Sequence, residues 1–237
     1  MAESLAARIA ALDWHALHRS LEEDGFAPLP PLLSAEECRE LRDGYEVDEL
    51  FRATIDMARY RFGEGRYRYY RQPLPETIRE LRESFYSELA GTANLWRERL
   101  GQEPIYPPVL SEFLAECHAS GQSRPTPLLL KYEAGGYNCL HQDLYGELAF
   151  PFQVVFVLSE RERDYTGGEF LLVEQRPRAQ SRGRALTLEQ GAGLIFPTNH
   201  RPVKGTRGYY RTRVKHGVST VTAGTRYSLG ILFHDAT

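Results

Sequence analysis

Residues 127–146, PLLLKYEAGGYNCLHQDLYG, mark a change of grammar in this 237-residue chain. A leucine run ending in Lys131 and Tyr132 passes through the turn signal Glu133-Ala134-Gly135-Gly136 into a second extended segment. The same grammar recurs downstream in FQVVFVLS (152–159), GEFLLVE (168–174), AGLIF (192–196), VKHGVSTV (214–221) and RYSLGILF (226–233). Thr166-Gly167-Gly168, Gln190-Gly191 and Ala223-Gly224 punctuate these short runs of Val, Ile, Leu and Phe. No helical pattern intervenes, which points to an antiparallel sandwich or barrel rather than alternating βαβ units.

Upstream the pattern is helical. Leu5, Ile9, Leu12 and Leu21 fall near helical spacing, and Ser34 with Glu37 is a capping-box pair opening a helix to about Gly44. After Pro75, a long amphipathic helix carries Ile78, Leu81, Phe85 and Leu89 on one stripe and stops at Gly101, and a shorter helix covers Leu110 to Ala119. The reading is an α+β fold in one domain over 1–237. A mainly helical part, 1–125, packs outside a jelly-roll core formed by 126–237.

Composition narrows the function classes. A chain of this length buries enough surface to fold without disulfides or a structural metal. Cys38, Cys117 and Cys139 are an odd number at no metal-ligand spacing, which argues for a reducing compartment. The opening MAESLAARIAALDWH has no basic segment leading into an apolar run, and no 18 consecutive apolar residues occur. The expectation is therefore a cytoplasmic protein with no membrane partner. Within a net charge of −3, only Lys131, Lys204 and Lys215 are lysine, so 26 of the 29 basic residues are arginine. A GC-rich genome gives such a bias, and so does recognition of phosphates or carboxylates.

The chemistry-bearing residues lie in the β half. His141 and Asp143 form a His-x-Asp pair at the end of an expected strand, where positions i and i+2 share a face. Alone, such a pair is more often a surface or core feature than a ligand set. His216, 75 residues downstream on another expected strand, completes two imidazoles and one carboxylate, the donor inventory of a facial triad for non-haem Fe(II). Ten residues later, Arg226, Ser228, Gly230 and Leu232 share one face of a strand whose other face is Tyr227, Leu229, Ile231 and Phe233. A buried arginine needs a partner. It is either an edge or ion-pair residue, or a receptor that takes a carboxylate bidentately with the serine adding a hydrogen bond.

With these residues the sequence resembles the 2-oxoglutarate- and Fe(II)-dependent oxygenase superfamily, whose core is a double-stranded β-helix. The resemblance rests on HQD (141–143), the histidine of KHG (215–217) and Arg226-x-Ser228, and covers roughly Pro127 to Asp235. It implies that His141, Asp143 and His216 bind iron as the catalytic centre, that Arg226 and Ser228 bind the distal carboxylate of 2-oxoglutarate, and that O2 is a further cosubstrate. Tyr132 matches the position of a tyrosine on the same carboxylate, or is an ordinary aromatic strand residue. The chain as a whole is similar to a bacterial branch described by analogy as AlkB-like oxygenases of damaged nucleic acid. It shares the segments DGFAPLPPLLS, RPTPLLLKY, YNCLHQDLYGEL and TGGEF. The Gly167-Gly168-Glu169-Phe170 turn and the ten-residue offset from His216 to Arg226 resemble prolyl hydroxylases instead, and no second arginine follows Arg226.

The implied function is a dioxygenase that hydroxylates or oxidatively demethylates its substrate. Damaged or alkylated nucleic acid, a protein or peptide residue, and a small metabolite all stay open, as does a non-enzymatic sensor of metal or 2-oxoglutarate. Arg59–Arg71 interleaves five arginines with Tyr60, Phe62, Tyr67, Tyr69 and Tyr70, and Arg201–Lys215 has six basic residues and no acid. Gln175–Arg184 adds four more arginines. Such segments suit phosphates and stacked bases, and equally an acidic peptide. Cys139, two residues before His141, is expected to be a small core residue lining the site.

Overall fold

The structure, a computed structural model, describes residues 3–237. Its helices are α1 (Leu5–Ala10), α2 (Trp14–Glu23), α3 (Ala35–Asp43), α4 (Met57–Tyr60), α5 (Glu76–Arg99) and α6 (Leu110–Ala119). The strands are β1 (Ala27–Leu29), β2 (Phe51–Asp56), β3 (Gly63–Glu64), β4 (Arg66–Tyr70), β5 (Leu128–Glu133), β6 (Tyr137–His141) and β7 (Phe152–Val157), followed by β8 (Tyr165–Gly167), β9 (Phe170–Gln175), β10 (Arg182–Leu186), β11 (Gly193–Pro197), β12 (His200–Gly205), β13 (Gly208–Val218) and β14 (Val221–Leu232).

Two antiparallel sheets result. The larger has the order β1-β11-β7-β14-β5-β4-β2, with β8 against the start of β14. The smaller runs β10-β9-β13-β6-β3, with β12 also on β13. This is the expected jelly roll, with helices on its outside.

Strand alternation sorts the larger sheet. Phe152, Val154 and Phe156 of β7 and Leu229, Ile231 and Phe233 at β14 join Ile78, Leu81, Phe85 and Leu89 of α5 in one buried cluster. Phe85 packs against Phe156, and Trp96 against Phe152 at 4.3 Å between ring centroids. The opposite faces of the same strands, with Gln153, Val155, Arg226, Ser228 and Gly230, line a cavity between the sheets. One amphipathic helix thus fixes which side of β14 faces the interior, because shifting the register by one residue would exchange the two sets.

Local signals hold at the helix ends. Ser34 caps α3 in a full capping box with Glu37, and α5 ends just before Gly101, which takes φ +70°. The first 125 residues also contribute strands. β1 extends the larger sheet at β11, while β2 and β4 extend it at β5, where Arg66 faces Lys131 and Arg68 faces Leu129. Arg68 is buried there because Asp48 and the Tyr45 carbonyl receive its guanidinium, with the Phe51 ring 4.3 Å away.

Candidate metal centre and anion-binding cavity

The cavity between the sheets has a volume of about 330 Å³. His141 closes β6, and His216 lies directly opposite it on β13. Their ring centroids are 4.2 Å apart. Gly217 permits this approach, since a Cβ there would lie 2.6 Å from the Asn138 carbonyl oxygen. Asp143 lies beyond the end of β6, so the chain's turn out of the strand, rather than strand alternation, brings its carboxylate to the two rings. Its Oδ1 is 3.5 Å from His141 Nε2 and its Oδ2 is 3.1 Å from His216 Nε2. The ligating atoms of all three residues fall within 4.8 Å of one another.

Neighbouring polar groups orient this set. The Cys139 carbonyl is 2.7 Å from His141 Nδ1, which places the ring proton on Nδ1 and leaves the Nε2 lone pair free. Tyr145 donates its hydroxyl proton to Asp143 Oδ1 at 2.7 Å, and Gln153 donates from Nε2 to Oδ2 at 2.9 Å. Burial alone would raise the Asp143 pKa, but His216 and His141 beside it hold the carboxyl well below its usual range. His216 is driven down by burial and then by the neighbouring His141. Burial also lowers His141, but the bond to Asp143 outweighs it and the net shift is upward. The carboxylate is thus ionised at neutral pH, and His216 favours its neutral, ligating form.

On the wall opposite, Arg226 is 1% exposed. Its Nη1 donates to Ser228 Oγ at 3.0 Å, its Nε has no hydrogen-bond partner, and no carboxylate of the described residues pairs with it. Tyr132 faces Arg226 across the β5–β14 pairing and is fully buried, its pKa pushed up to about 12 by that burial. Asn138 donates to the Tyr132 hydroxyl at 3.4 Å. Gly168, at φ +63°, makes room for the guanidinium arm, because a Cβ there would sit 2.8 Å from Arg226 Cδ. The structure therefore brings together His141, Asp143, His216, Arg226, Ser228 and Tyr132 in one cavity.

Sequence reasoning missed Gln153 and Tyr145, which sit inside a hydrophobic run and a loop. The polar Gln153 within FQVVFV was the only available signal. Cys139 differs from its expectation: it lines the cavity but is exposed, because β6 lies near the edge of the smaller sheet with only β3 beyond it. The arginine-rich segments divide. Arg61, Phe62 and Tyr67 line the cavity. In 201–215 the residues alternate about β13, so the basic side chains at 211, 213 and 215 are exposed while Thr212, Val214 and His216 are buried. Arg184 of the third segment pairs with Asp24.

Comparison with solved structures places the fold. A prolyl hydroxylase from Trichoplax adhaerens, in complex with a hypoxia inducible factor oxygen degradation domain peptide, is similar over 94% of this chain and 89% of its own, with TM-score 0.59 and 16% identity. A Pseudomonas putida prolyl-4-hydroxylase is similar over 94% of this chain and all of its own, with TM-score 0.50 and 15% identity. At these identities the likeness is one of fold. Together with the His141–Asp143–His216 group and the match of residues 65–236 to the sequence model of an oxygenase family, it defines the class, the 2-oxoglutarate-dependent Fe(II) dioxygenases of the double-stranded β-helix type.

The sequence model of one family matches residues 65–236, and that family is described as an oxygenase, catalysing oxidative methylation of damaged DNA. The chain belongs to this family. It is also 54% identical over 164 residues to the uncharacterized protein Rv2227 of Mycobacterium tuberculosis H37Rv, covering 69% of this chain and 70% of the relative. Among the described residues no helix is long and apolar enough to cross a membrane.

Proposed function

We propose that the protein oxidises methyl groups on alkylated nucleic-acid bases, with His141, Asp143 and His216 holding Fe(II), and Arg226, Ser228 and Tyr132 receiving the distal carboxylate of 2-oxoglutarate. The observation that carries the cosubstrate assignment is the buried guanidinium of Arg226, which has no carboxylate of its own. An uncompensated buried charge is expensive, and a dicarboxylate reaching across the cavity supplies the missing anion. The donor set fits the metal: two imidazoles and one carboxylate leave open positions.

Bound iron with 2-oxoglutarate and O2 supplies the oxidation, which places one oxygen in a substrate C–H bond and leaves succinate and CO2. An N-methyl group hydroxylated in this way leaves the nitrogen as formaldehyde. The chain's own part is positional. Tyr145 and Gln153 hold both oxygens of Asp143, Cys139 fixes the tautomer of His141, and Arg226 with Ser228 grips the end of the cosubstrate remote from the metal. The apolar walls at Leu128, Val155 and Phe170 exclude water from the reacting centre.

The cavity mouth supports the nucleic-acid reading. Tyr60 and Phe62 are 57% and 46% exposed and stack on each other at 5.6 Å between centroids and 20° between planes. Phe62 lines the cavity, and its carbonyl is held by the Cys139 N–H at 2.7 Å, so the platform is anchored to the strand bearing His141. Arg59 and Arg61 flank these rings, and neither is in an ion pair among the described residues. Exposed stacked rings interleaved with free arginines suit bases and phosphates.

The test is Fe(II)-dependent succinate formation from 2-oxoglutarate with N-methylated single-stranded oligonucleotides, unmethylated controls, proline-containing peptides and a metabolite pool. Stimulation by the methylated oligonucleotides with formaldehyde release is expected. Stimulation confined to peptides would replace the substrate reading, and 2-oxoglutarate binding without turnover on any pool would replace the enzymatic one. His141→Ala should lose stoichiometric Fe(II) binding, and a variant that binds metal as the wild type does would remove His141 from the centre.

A further inference from the structure

We infer that the outer face of the β12–β13 hairpin, with a groove beside the end of α5, holds the phosphate backbone of the nucleic-acid strand whose base enters the cavity. The inference rests on the substrate class proposed above, but on different residues.

Tyr209, Arg211, Arg213 and Lys215 are alternate residues of β13 and all are exposed, so they form one row on the face opposite Thr212, Val214 and His216. Their cross-strand neighbours on that face are Lys204, Pro202 and His200 of β12 and Gln175 and Val173 of β9. None is acidic. Among the described residues, Lys204, Arg207, Arg211, Arg213 and Lys215 form no ion pair. In a chain of net charge −3, where 12 of the 26 arginines meet a carboxylate among the described residues, this face carries five cations with no such partner. His200, whose ring lies against this row, has its pKa lowered by burial and then by Arg211 and Arg213, as expected where positive charge is uncompensated.

The row is not flat throughout. Beside Arg211 and the start of β12 a groove of about 190 Å³ runs between α5 and the hairpin, lined by Trp96, Arg97, Gln102, Asn199, His200 and Arg211, with no carboxylate. At its Lys215 end the row comes level with the candidate metal centre, which lies on the opposite face of β13. Lys215 directly precedes His216, and β6 follows β12 along the same side of β13. Gln142, between His141 and Asp143, bridges this junction by donating to the carbonyls of Asn199 at 2.6 Å and Val214 at 3.0 Å. A strand laid along the row would round the sheet at this junction for its base to enter the cavity on the other face of β13. Cations on successive outward positions, with hydrogen-bonding amides at the groove, match a repeating phosphodiester rather than a single anion.

The test is fluorescence anisotropy of a labelled unmodified single-stranded oligodeoxynucleotide on the full-length protein, titrated over a range of salt. Neutralising the row in R211Q/R213Q/K215Q should weaken binding at low salt. It should also reduce the slope of log affinity against log salt by about 2, at roughly 0.7 per lost phosphate contact. The ion-paired surface control R79Q should leave the slope unchanged. All three residues are exposed, and circular dichroism checks that the variants fold. An unaltered slope in the triple variant, alongside methylated-oligonucleotide turnover by the wild type, would overturn this surface and leave the substrate reading standing. A lost slope in a protein that turns over no oligonucleotide would keep the surface and fell the substrate. Equal loss of binding to an acidic peptide and the oligonucleotide, with no salt-slope difference between them, would overturn the assignment to a phosphate backbone.

Discussion

Arg82 and Arg226 are equally buried, each about 1% exposed, and their surroundings are opposite. Arg82 on α5 donates from Nη2 to Asp235 Oδ1 at 2.7 Å and from Nε to the Leu232 carbonyl at 2.8 Å, while the other oxygen of Asp235 meets His118 at 2.9 Å. It pins the C-terminal segment to the helix layer with a carboxylate drawn from the chain itself. Arg226, only a few residues before Asp235 in sequence, has a serine hydroxyl and an open cavity. A guanidinium that serves architecture is neutralised at folding; under the proposed assignment Arg226 is neutralised by its ligand instead. The distinction cannot be read from burial, only from the partner list.

Removing one partner of a buried ion pair leaves the other charged and stranded, so Arg82→Met should cost about 3–5 kcal/mol of unfolding free energy in urea. Arg226→Met strands no carboxylate and removes an uncompensated charge. Its ligand-free unfolding midpoint should equal or exceed that of the wild type. Equal destabilisation by both substitutions would break the comparison, because it would mean that Arg226 has a structural anion of its own.

The second contrast is in ligand binding. Loss of the charge-assisted contacts at Arg226 should weaken 2-oxoglutarate by about 1.5–3 kcal/mol, roughly 10- to 150-fold in Kd by calorimetry. Saturating 2-oxoglutarate at about 100 times its Kd should raise wild-type stability by about 2.7 kcal/mol, and should raise that of the Met variant far less. Unchanged affinity in Arg226→Met would remove the residue from the cosubstrate site.

These two arginines also show what was legible beforehand. Arg226 stood out because it breaks an apolar strand on the same side as Ser228, a local pattern that needs only period-two alternation. Arg82 sits among the charged residues of ETIRELRES, where nothing local separates it from the exposed Arg79. Its burial depends on Asp235, 153 residues away. The same division runs through the fold. The strands after Pro127 announce themselves by hydrophobic content, and α3 by its cap. Strands β2 and β4 do not, because RATID and RYRYY carry charges that are buried or shielded only through pairing with β5 and contact with Asp48. At the site, His141, Asp143 and His216 were readable as an inventory, but Tyr145 and Gln153, which orient Asp143, follow from packing alone.

Gly168 tests that assignment. Its φ of +63° and the 2.8 Å from an added Cβ to Arg226 Cδ mean that Gly168→Ala must move the guanidinium arm as well as strain the turn. A fall in 2-oxoglutarate affinity of about tenfold, 1.4 kcal/mol, is expected with the metal affinity intact. Gly167→Ala, at φ +72°, would strain the same turn and press on the Thr220 carbonyl rather than on Arg226. If both alanines weakened 2-oxoglutarate equally, the turn and not the arm would be responsible.

The smallest effect belongs to a third arginine, Arg8, whose pair with Glu37 is only part-buried. Arg8 Nη1 donates to Glu37 Oε2 at 2.9 Å, Nη2 donates to Oε1, and Glu37 also accepts the Ser34 N–H at 2.7 Å in the cap of α3. These bonds lower the Glu37 pKa from 4.5 to about 2, with the contact to Arg8 the largest cause. Because the folded pKa is the lower one, the unfolded chain takes up the proton first. The contribution is fully present above about pH 4.5 and drains away as pH falls toward 2. Solvent screening limits it to about 1 kcal/mol. Glu37→Gln should therefore cost about that much at pH 7 and nothing near pH 2, so that the two unfolding curves converge in acid. Parallel curves would show that the cap, which Gln preserves, and not the ion pair, accounts for what Glu37 contributes. A surface pair would then add nothing measurable, leaving charge compensation as a matter for the buried arginines alone.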